Sequence, residues 1–481
     1  MRLSITPPSP NFPTDMQKQE NYILRFIRST GILFIGVILP KVVVFLLLSF
    51  NTTHIPVSDY GFYDLSVNVT TMVTYLLYFD IWITTMRFLY EKEDAQKQNT
   101  VIRSGNALFS LSSLLFMLVG ALICLIAKPV YGIDIILMGL SQNLANMYTF
   151  SARGLGKEMD FALSGVLGSI VLGSLNYGLI RYCGWDFRAL YWSATAGYLV
   201  QCLYLEVRCG YFRRVISAAR DTSLTGEMFR FTLPMGLGAV AFWVLNSFDK
   251  IVLSYIMDLE SGGLYAVAER LAGLITFAVQ CFTYAWQDIA FRHSSDDEGK
   301  FYSLATRIYA LFLSVGISLI LPALRVVFPF IIGTDFSGAS FIIPSAIIAA
   351  TLSGYSLFLN NIFYALHETR TSTVTSLCAG VFNLVICYPC IRAFGLSGAS
   401  IAIAVSFLFD AVLKSIALRK KVGYTVPVRT LLVAVLITAV TCFIYDSFGA
   451  VANIVWFCAV FIAAASAVYF FFFKRRSEKS V

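Results

Sequence analysis

Charged residues are scarce in this chain of 481 residues. Only 13% are Asp, Glu, Lys or Arg, whereas 58% are hydrophobic and the mean hydropathy is +0.73. Soluble globular domains carry about 25% charged residues, so the composition excludes that class. The net charge of +8 does not indicate a nucleic-acid partner, because basic residues in a membrane protein first serve to fix its topology.

Patterns for cofactors and catalysis are also missing. The three histidines, His54, His293 and His367, are far apart, and the single CxxC spacing, Cys387 to Cys390, has no second ligand pair. No glycine-rich phosphate loop occurs in the polar segments. The polar loops on one side are all short and leave no room for a catalytic outer domain. We therefore expect no metal, no cofactor and no enzymatic activity.

Long apolar runs dominate the sequence. About fourteen of them are long enough to cross a bilayer as helices. We therefore predict an all-α polytopic membrane protein, with spans at 29–49, 66–86, 102–127, 132–151, 161–182, 187–207, 231–256, 262–285, 302–328, 339–364, 371–392, 396–418, 427–447 and 450–473.

The distribution of Lys and Arg predicts the orientation. An even number of spans places both termini on one side, and most basic residues fall into the segments on that side. The opposite side has few: Lys128, Arg181, Arg188, Arg325 and Arg392. By the positive-inside rule, both termini are expected in the cytoplasm.

The longest polar linker divides the spans into two groups. We predict a cytoplasmic tail at 1–28, an N-lobe of six helices at 29–207, a cytoplasmic linker at 208–230, a C-lobe of six helices at 231–418, two further helices at 427–473 and a tail at 474–481. A weak internal repeat agrees with this division, since Gly61-x-Tyr63 and Gly263-x-Tyr265 enter the second and eighth spans.

Four charges lie within the seventh and eighth spans. These spans form a hairpin around a short turn, with Asp249 and Lys250 on one arm and Glu269 and Arg270 on the other. All four lie about 10 Å inside the hairpin at 1.5 Å per residue. Charges at that depth must face one another or a polar cavity. One interpretation is two structural ion pairs, Asp249 with Arg270 and Lys250 with Glu269. The alternative is a lumen that receives a charged substrate.

A polar stripe on the eighth span favours the lumen. Glu269, Thr276, Gln280 and Gln287 recur at nearly the same helical angle. Lys41 adds a basic residue near the middle of the first span, which has no acid of its own. Lys41 either has a role in the lumen or pairs with an acid, which is Asp80 or one of the acids of the hairpin.

Polar residues on later spans also point inward. Asn246 belongs to the seventh span. The tenth span has a polar face made of Ser353, Ser356, Asn360 and His367. The eleventh span has another, made of Ser372, Ser376 and Asn383. Such faces form either hydrogen-bonded seams between helices or substrate contacts. Asp410 and Lys414 are spaced for a local pair near the cytoplasmic end of the twelfth span.

Several short motifs occur in a familiar order. They are Ser58 to Tyr63 before the second span, Arg153-Gly154-Leu155-Gly156-Lys157 after the fourth, Leu233-Pro234 and Asn246 to Lys250 in the seventh, Gly263 to Ala268 in the eighth, and Phe394 to Ala399 before the twelfth. This order resembles the polysaccharide flippases, of the O-antigen or Wzx type, in the multidrug/oligosaccharidyl-lipid/polysaccharide exporter superfamily. Asp249-Lys250 departs from the more frequent Asp-Arg of these proteins.

The resemblance implies a function in surface polysaccharide or lipopolysaccharide biosynthesis. Such a protein lies in the bacterial inner membrane and moves an undecaprenyl-diphosphate-linked oligosaccharide between leaflets by alternating access. Lys41, Lys250 and Arg270 are then candidates for binding the diphosphate, with Asp249 and Glu269 as their charge partners. The resemblance further implies a pathway with a polymerase and glycosyltransferases, and leaves open coupling to protons or sodium. Alternatives are a multidrug or small-cation antiporter of the same superfamily and a membrane scaffold without transport activity.

Overall fold

The computed structural model describes residues 40–91, 94–219, 221–292, 298–366 and 368–477, apart from some side chains within these ranges. The predicted tail at 1–28, the start of the first span, His293 and His367 lie outside the described residues. The described part contains helices and no strand: α1 at 40–54, α2 Val57–Tyr78, α3 Ile81–Tyr90, α4 Ala95–Ala127, α5 Gly132–Gly154, α6 Glu158–Arg181, α7 Arg188–Cys209, α8 Tyr211–Ser217, α9 Thr222–Ile256, α10 Leu259–Arg292, α11 Glu298–Ile331, a 3₁₀ helix Thr334–Phe341, α12 Ile343–Ala365, α13 Thr369–Phe394, α14 Leu396–Val422, α15 Val428–Ser447 and α16 Ala450–Ser477.

These helices confirm the predicted fold class. All except the short α8 follow the predicted spans, and α2 and α3 together make the second one. Within the described ranges, eight helices are individually long and apolar enough to cross a membrane. The protein is therefore a multi-pass, all-α membrane protein of about fourteen spans.

The second span differs most from its prediction. It begins at Val57 rather than at residue 66, and it breaks at Phe79 and Asp80, which adopt left-handed φ values of 47° and 57°. The late predicted start has a physical cause. Asp59 and Asp64 lower the hydropathy of the first turns, but Asp64 lies on a face that packs against other helices and is buried. The predicted span of 66–86 therefore leaves Asp64 in a loop.

The linker at 208–230 is more helical than its polarity suggests. It contains α8, and α9 already begins at Thr222, where the Asp221 carboxylate accepts the Leu224 N–H at 2.9 Å and caps the helix. Arg103 of α4 donates to the carbonyl oxygen of Ala218 at 2.8 Å, directly after α8. Polar helices of this kind do not appear in a search for apolar runs.

The centre of the bundle is the contact between α2 and α10. Both helices pack against α9, and α10 also packs against α12. The contact is so close that a Cβ on Gly61 would lie 1.9 Å from the Leu259 carbonyl oxygen. A Cβ on Gly263 would lie 2.1 Å from the Val57 carbonyl oxygen. The two Gly-x-Tyr motifs of the repeat thus meet each other, and glycine permits the approach at both positions.

A second close contact lies at the same end of the bundle. Here a Cβ on Gly333 would stand 2.1 Å from the Thr52 carbonyl oxygen, and the Gly333 N–H donates to the Thr52 hydroxyl at 3.2 Å. We call these contacts of Gly61, Gly263 and Gly333 the glycine seal. It joins helices from the first part of the chain to helices from the second, beside the α9–α10 turn.

Candidate functional site

The α9–α10 hairpin forms as the sequence predicts, with a tight turn after Ile256. Asp258 caps α10 by accepting the Ser261 N–H at 2.8 Å. This hydrogen bond to the ionised carboxylate holds the pKa of Asp258 below its usual value. The cap fixes where α10 begins and therefore which residues of the two arms face each other.

A layer of charges crosses the bundle next to the glycine seal. Lys250 of α9 contacts Glu269 of α10, as expected, and its Nζ also donates to Asp64 of α2 at 3.0 Å. Arg270 approaches the other oxygen of Asp64 at 3.8 Å. The Asn68 side chain donates to Asp64 at 3.1 Å and holds it in place. We call Asp64, Lys250, Glu269 and Arg270 the charge layer.

The expected pair between Asp249 and Arg270 does not form. Arg270 instead faces Asp64 and lies over the Tyr60 ring, with its guanidinium carbon 5.1 Å from the ring centre. Asp249 is 0% exposed, and neither carboxylate oxygen accepts a hydrogen bond with good geometry from the described residues, although Tyr265 lies close by. The interpretation of two ion pairs within the hairpin holds for Lys250 with Glu269 but not for Asp249 with Arg270, because it omitted the third helix, α2.

Asp64 is the important residue that the sequence analysis missed. It bridges two basic residues from two other helices, and it lies one turn from Gly61 on α2. The available signal was Asp64 with Asn68 at i and i+4, just after the Gly61-x-Tyr63 motif. With Asp64 included, the formal charges of the layer balance.

Lys41 of α1 has no ion-pair partner among the described residues. Its Nζ donates to the side-chain amide oxygen Oε1 of Gln280 at 3.2 Å and lies 5.3 Å from the centre of the Phe277 ring. Neither Asp80 nor an acid of the hairpin pairs with it in the described structure. A charge inside the membrane is thus held by one amide and one aromatic face, which leaves it available to an anion.

A cavity of about 380 Å³ lies beside Lys41. We call it the basic compartment, because Lys41 and Arg270 are its only charged lining residues in the described part of the chain. Most of the remaining wall is apolar: Pro40, Val44, Phe45, Leu48 and Phe277, with Gly273 and Thr276. The compartment thus offers two cations beside an apolar surface.

A second cavity, of about 420 Å³, lies against an adjacent face of α10. Its charged lining residues, within the described ranges, are Glu269 and Asp410, and we call it the acidic compartment. The polar residues around it include most of the predicted ones: Asn246, Thr276, Gln280, Ser353, Ser356, Asn360 and Ser376. Tyr265 and Ser400 line it as well. The two compartments share Gly273 and Thr276, and the Lys41–Gln280 hydrogen bond connects their walls.

Two residues predicted in the lumen serve other contacts. Asn383 does not line either compartment and instead donates to the Leu245 carbonyl oxygen at 3.1 Å, which joins α13 to α9. Asn360 lines the acidic compartment but also accepts a hydrogen bond from Ser372 of α13. The side chain of Gln287 lies outside the described residues. The polar faces of α12 and α13 are therefore partly seams and partly lining.

The predicted pair of Asp410 and Lys414 forms, but in a different environment from the one expected. Asp410 is 1% exposed and Lys414 0%, so the pair is buried in the bundle rather than local to a helix end. Lys414 also donates to Ser356 of α12 at 2.9 Å and to Ser376 of α13 at 3.2 Å. The pair thereby ties three helices together, and Asp410 forms part of the wall of the acidic compartment.

No group of three or more His, Cys, Asp or Glu residues is placed to hold a metal ion in the described ranges. What the site offers chemically is separation of charge. Cations line one compartment and carboxylates the other, and both walls include Gly273 and Thr276 of α10. The charge layer and the glycine seal close one end of this region.

Comparison with solved structures shows which fold this is. The chain superposes on a lipid II flippase MurJ in an inward closed conformation with a TM-score of 0.67 and 12% identity, covering 92% of this chain and 99% of that one. An inward-facing multidrug resistance MATE family transporter of the MOP superfamily gives a TM-score of 0.62 and 13% identity, with coverage of 85% and 99%. A Vibrio cholerae MATE transporter gives a TM-score of 0.55 and 13% identity, covering 84% of this chain and 99% of that one.

The sequence itself also matches a family model. Among curated proteins no sequence matches this chain. The model described as "Polysaccharide biosynthesis protein" matches residues 26–287, which is more than half of the 481 residues. The resemblance inferred from the order of the short motifs is thereby confirmed, and the chain belongs to the polysaccharide biosynthesis protein family, with the fold of the MOP superfamily.

Proposed function

We propose that this protein moves an undecaprenyl-diphosphate-linked oligosaccharide across the bacterial inner membrane for surface polysaccharide biosynthesis. One observation carries the proposal: two cations beside an apolar wall adjoin a polar cavity within the membrane. A lipid-linked glycan has the same order of parts, since an apolar tail is followed by a diphosphate and then by sugars. Family membership and the flippase among the similar folds support the same function.

The diphosphate belongs in the basic compartment. It must lose water to enter the membrane, and cations that donate hydrogen bonds can replace that water. Arg270 can offer its planar fork and Lys41 a point charge. Lys250 does not line this compartment, and its ammonium group pairs with Asp64 and Glu269. It becomes available when Asp64 is displaced.

Alternating access follows from the seal and the charge layer. The predicted N-lobe contributes α2 with Gly61 and Asp64, and the predicted C-lobe contributes α9 and α10 with their partners. Opening this end must separate the two glycine surfaces and break the contacts of Asp64. A bound diphosphate can replace the Asp64 carboxylate on Arg270 and Lys250, and so weaken the link between the lobes when substrate is present.

A multidrug or small-cation antiporter of the same superfamily is the second candidate. Asp249 favours it, because a buried carboxylate without an ion-pair partner in the described structure can bind a cation or a proton. The same residue is compatible with a flippase driven by a cation gradient. Transport of a lipid-linked glycan separates the two candidates.

The test in cells is deletion of the gene. We expect glycan repeat units to remain on the polyprenyl carrier in the cytoplasmic leaflet, and surface polysaccharide to be missing, because translocation precedes assembly outside. Mass spectrometry of the lipid-linked intermediates measures their accumulation, and an external glycan-binding probe measures the leaflet. Units that reach the outer leaflet at the normal rate in the deletion strain would refute the proposal.

A further inference from the structure

The acidic compartment constrains the sugars that this protein can carry. Its two charged lining residues, Glu269 and Asp410, come from α10 and α14. Glu269 pairs with Lys250 and Asp410 pairs with Lys414, and neither lysine lines the compartment. The fixed charges that a ligand meets there are therefore carboxylates.

The lysines cannot turn toward the ligand without breaking several contacts. Lys414 is fully buried and gives hydrogen bonds to Asp410, Ser356 and Ser376, which engage the three donors of an ammonium group. Lys250 is bound between Asp64 and Glu269. Each lysine holds its carboxylate in position, while the carboxylate remains an acceptor.

The carboxylates of Asp410 and Glu269 can accept further hydrogen bonds. Asp410 binds Lys414 and Ser356 through Oδ2, whereas its buried Oδ1 accepts no hydrogen bond from the described residues. Glu269 pairs through Oε2, and its side chain is 35% exposed. Ionised carboxylates accept hydrogen bonds only, so their natural ligands are donors such as sugar hydroxyl or ammonium groups.

We propose that the acidic compartment binds the glycan of the substrate and selects repeat units whose sugars there are neutral or carry an amino group, against uronic acids. This inference rests on the proposed function for the identity of the substrate. The cavity of about 420 Å³ is within the usual size of small-molecule sites, roughly 300 to 1,000 Å³. Amides and hydroxyls of its wall suit neutral sugars, and a sugar carboxylate would meet like charge, which is strongly unfavourable in a desolvated site.

The experiment compares two substrates in vesicles containing the purified protein. Both are polyprenyl-diphosphate trisaccharides, identical except that one carries glucose where the other carries glucuronic acid. We expect the neutral probe to be translocated at least tenfold faster. Equal rates, or faster translocation of the uronate, would overturn the inference while leaving the proposed function intact.

The affinity of the purified protein for each probe tests the inference independently of the proposed function. If neither probe is translocated, the flippase proposal fails, but tryptophan fluorescence of the purified protein still reports the Kd of each probe. A Kd at least tenfold weaker for the uronate supports selection by the compartment. Equal Kd values overturn it.

A pair of double variants assigns the selectivity to the compartment. Asp410→Asn with Lys414→Met removes the fixed charge without leaving a buried charge unpaired, and we expect the preference for the neutral probe to fall at least threefold. The matched control is Glu368→Gln with Lys421→Met, which removes an ion pair of 2.5 Å between the start of α13 and the last turn of α14 and should keep the full preference. An unchanged preference in the first variant would contradict a role for Asp410.

Discussion

Replacing Lys41 by methionine is expected to slow translocation by about 10- to 100-fold without loss of folded protein. A hydrogen bond to a charged group contributes about 1.5 to 3 kcal/mol, and each 1.4 kcal/mol is a factor of ten. Among the described residues, Lys41 contacts Gln280 and Phe277 and has no acidic partner. The basic compartment would retain Arg270 but lose half of its lining charge.

The stability of this variant should move in the opposite direction from its activity. An isolated charge inside the membrane costs on the order of 2.5 to 3.5 kcal/mol on insertion scales, and methionine avoids that cost at similar length. Membrane levels and thermal stability should therefore match or exceed those of the native protein. Lys421→Met is the control, because it removes a lysine that pairs with Glu368 away from both compartments. A Lys41→Met protein with the native translocation rate would remove Lys41 from the transport path.

The second large effect is expected from Gly61→Ala. In the present structure the added Cβ would lie 1.9 Å from the Leu259 carbonyl oxygen and 2.7 Å from the Gly263 nitrogen. These are backbone atoms, so a change of side-chain rotamer cannot relieve the clash. If overpacking costs about 3 kcal/mol, the population of the sealed state falls about 150-fold relative to an open one. Translocation should fall strongly, because the seal cannot close again.

The shift in population can be measured with a cysteine at Thr276, which lines both compartments. All native cysteines are first replaced, and the variant is labelled with an impermeant thiol reagent in right-side-out and inverted membranes. Gly61→Ala should increase labelling from the side of the α9–α10 turn at least tenfold, which is the outer side on the predicted topology. Gly178→Ala is the control, since a Cβ there meets nothing within 4 Å. Identical labelling in both variants would show that the glycine seal does not open.

The sequence predicts the bundle well, because apolar runs determine which segments cross a membrane. The charge pattern of the hairpin also led to a region with two cavities, whose walls include four residues named from the sequence: Lys41, Thr276, Gln280 and Arg270. What one sequence does not contain is the pairing between distant helices. Asp64 and Arg270 are far apart in the chain, so their contact depends on how α2 packs against α10.

Helix boundaries cause the remaining errors. The first turns of α2 are polar, and this lowered their hydropathy enough to leave Asp64 in a predicted loop. In the same way, the spacing of Asp410 and Lys414 suggested a local pair near the cytoplasmic end of their helix. Their burial becomes apparent only when Ser356 and Ser376 are brought beside them from α12 and α13.

The central claim is that this protein itself moves a lipid-linked glycan between leaflets. Purified protein is reconstituted into vesicles with an undecaprenyl-diphosphate oligosaccharide in both leaflets, and an impermeant glycosidase is added outside. We expect cleavage to continue beyond the outer-leaflet pool until most of the lipid-linked glycan is consumed, and to stop at that pool in vesicles containing Lys41→Met on the same time scale. Cleavage that stops at the outer-leaflet pool with the native protein as well would contradict the account.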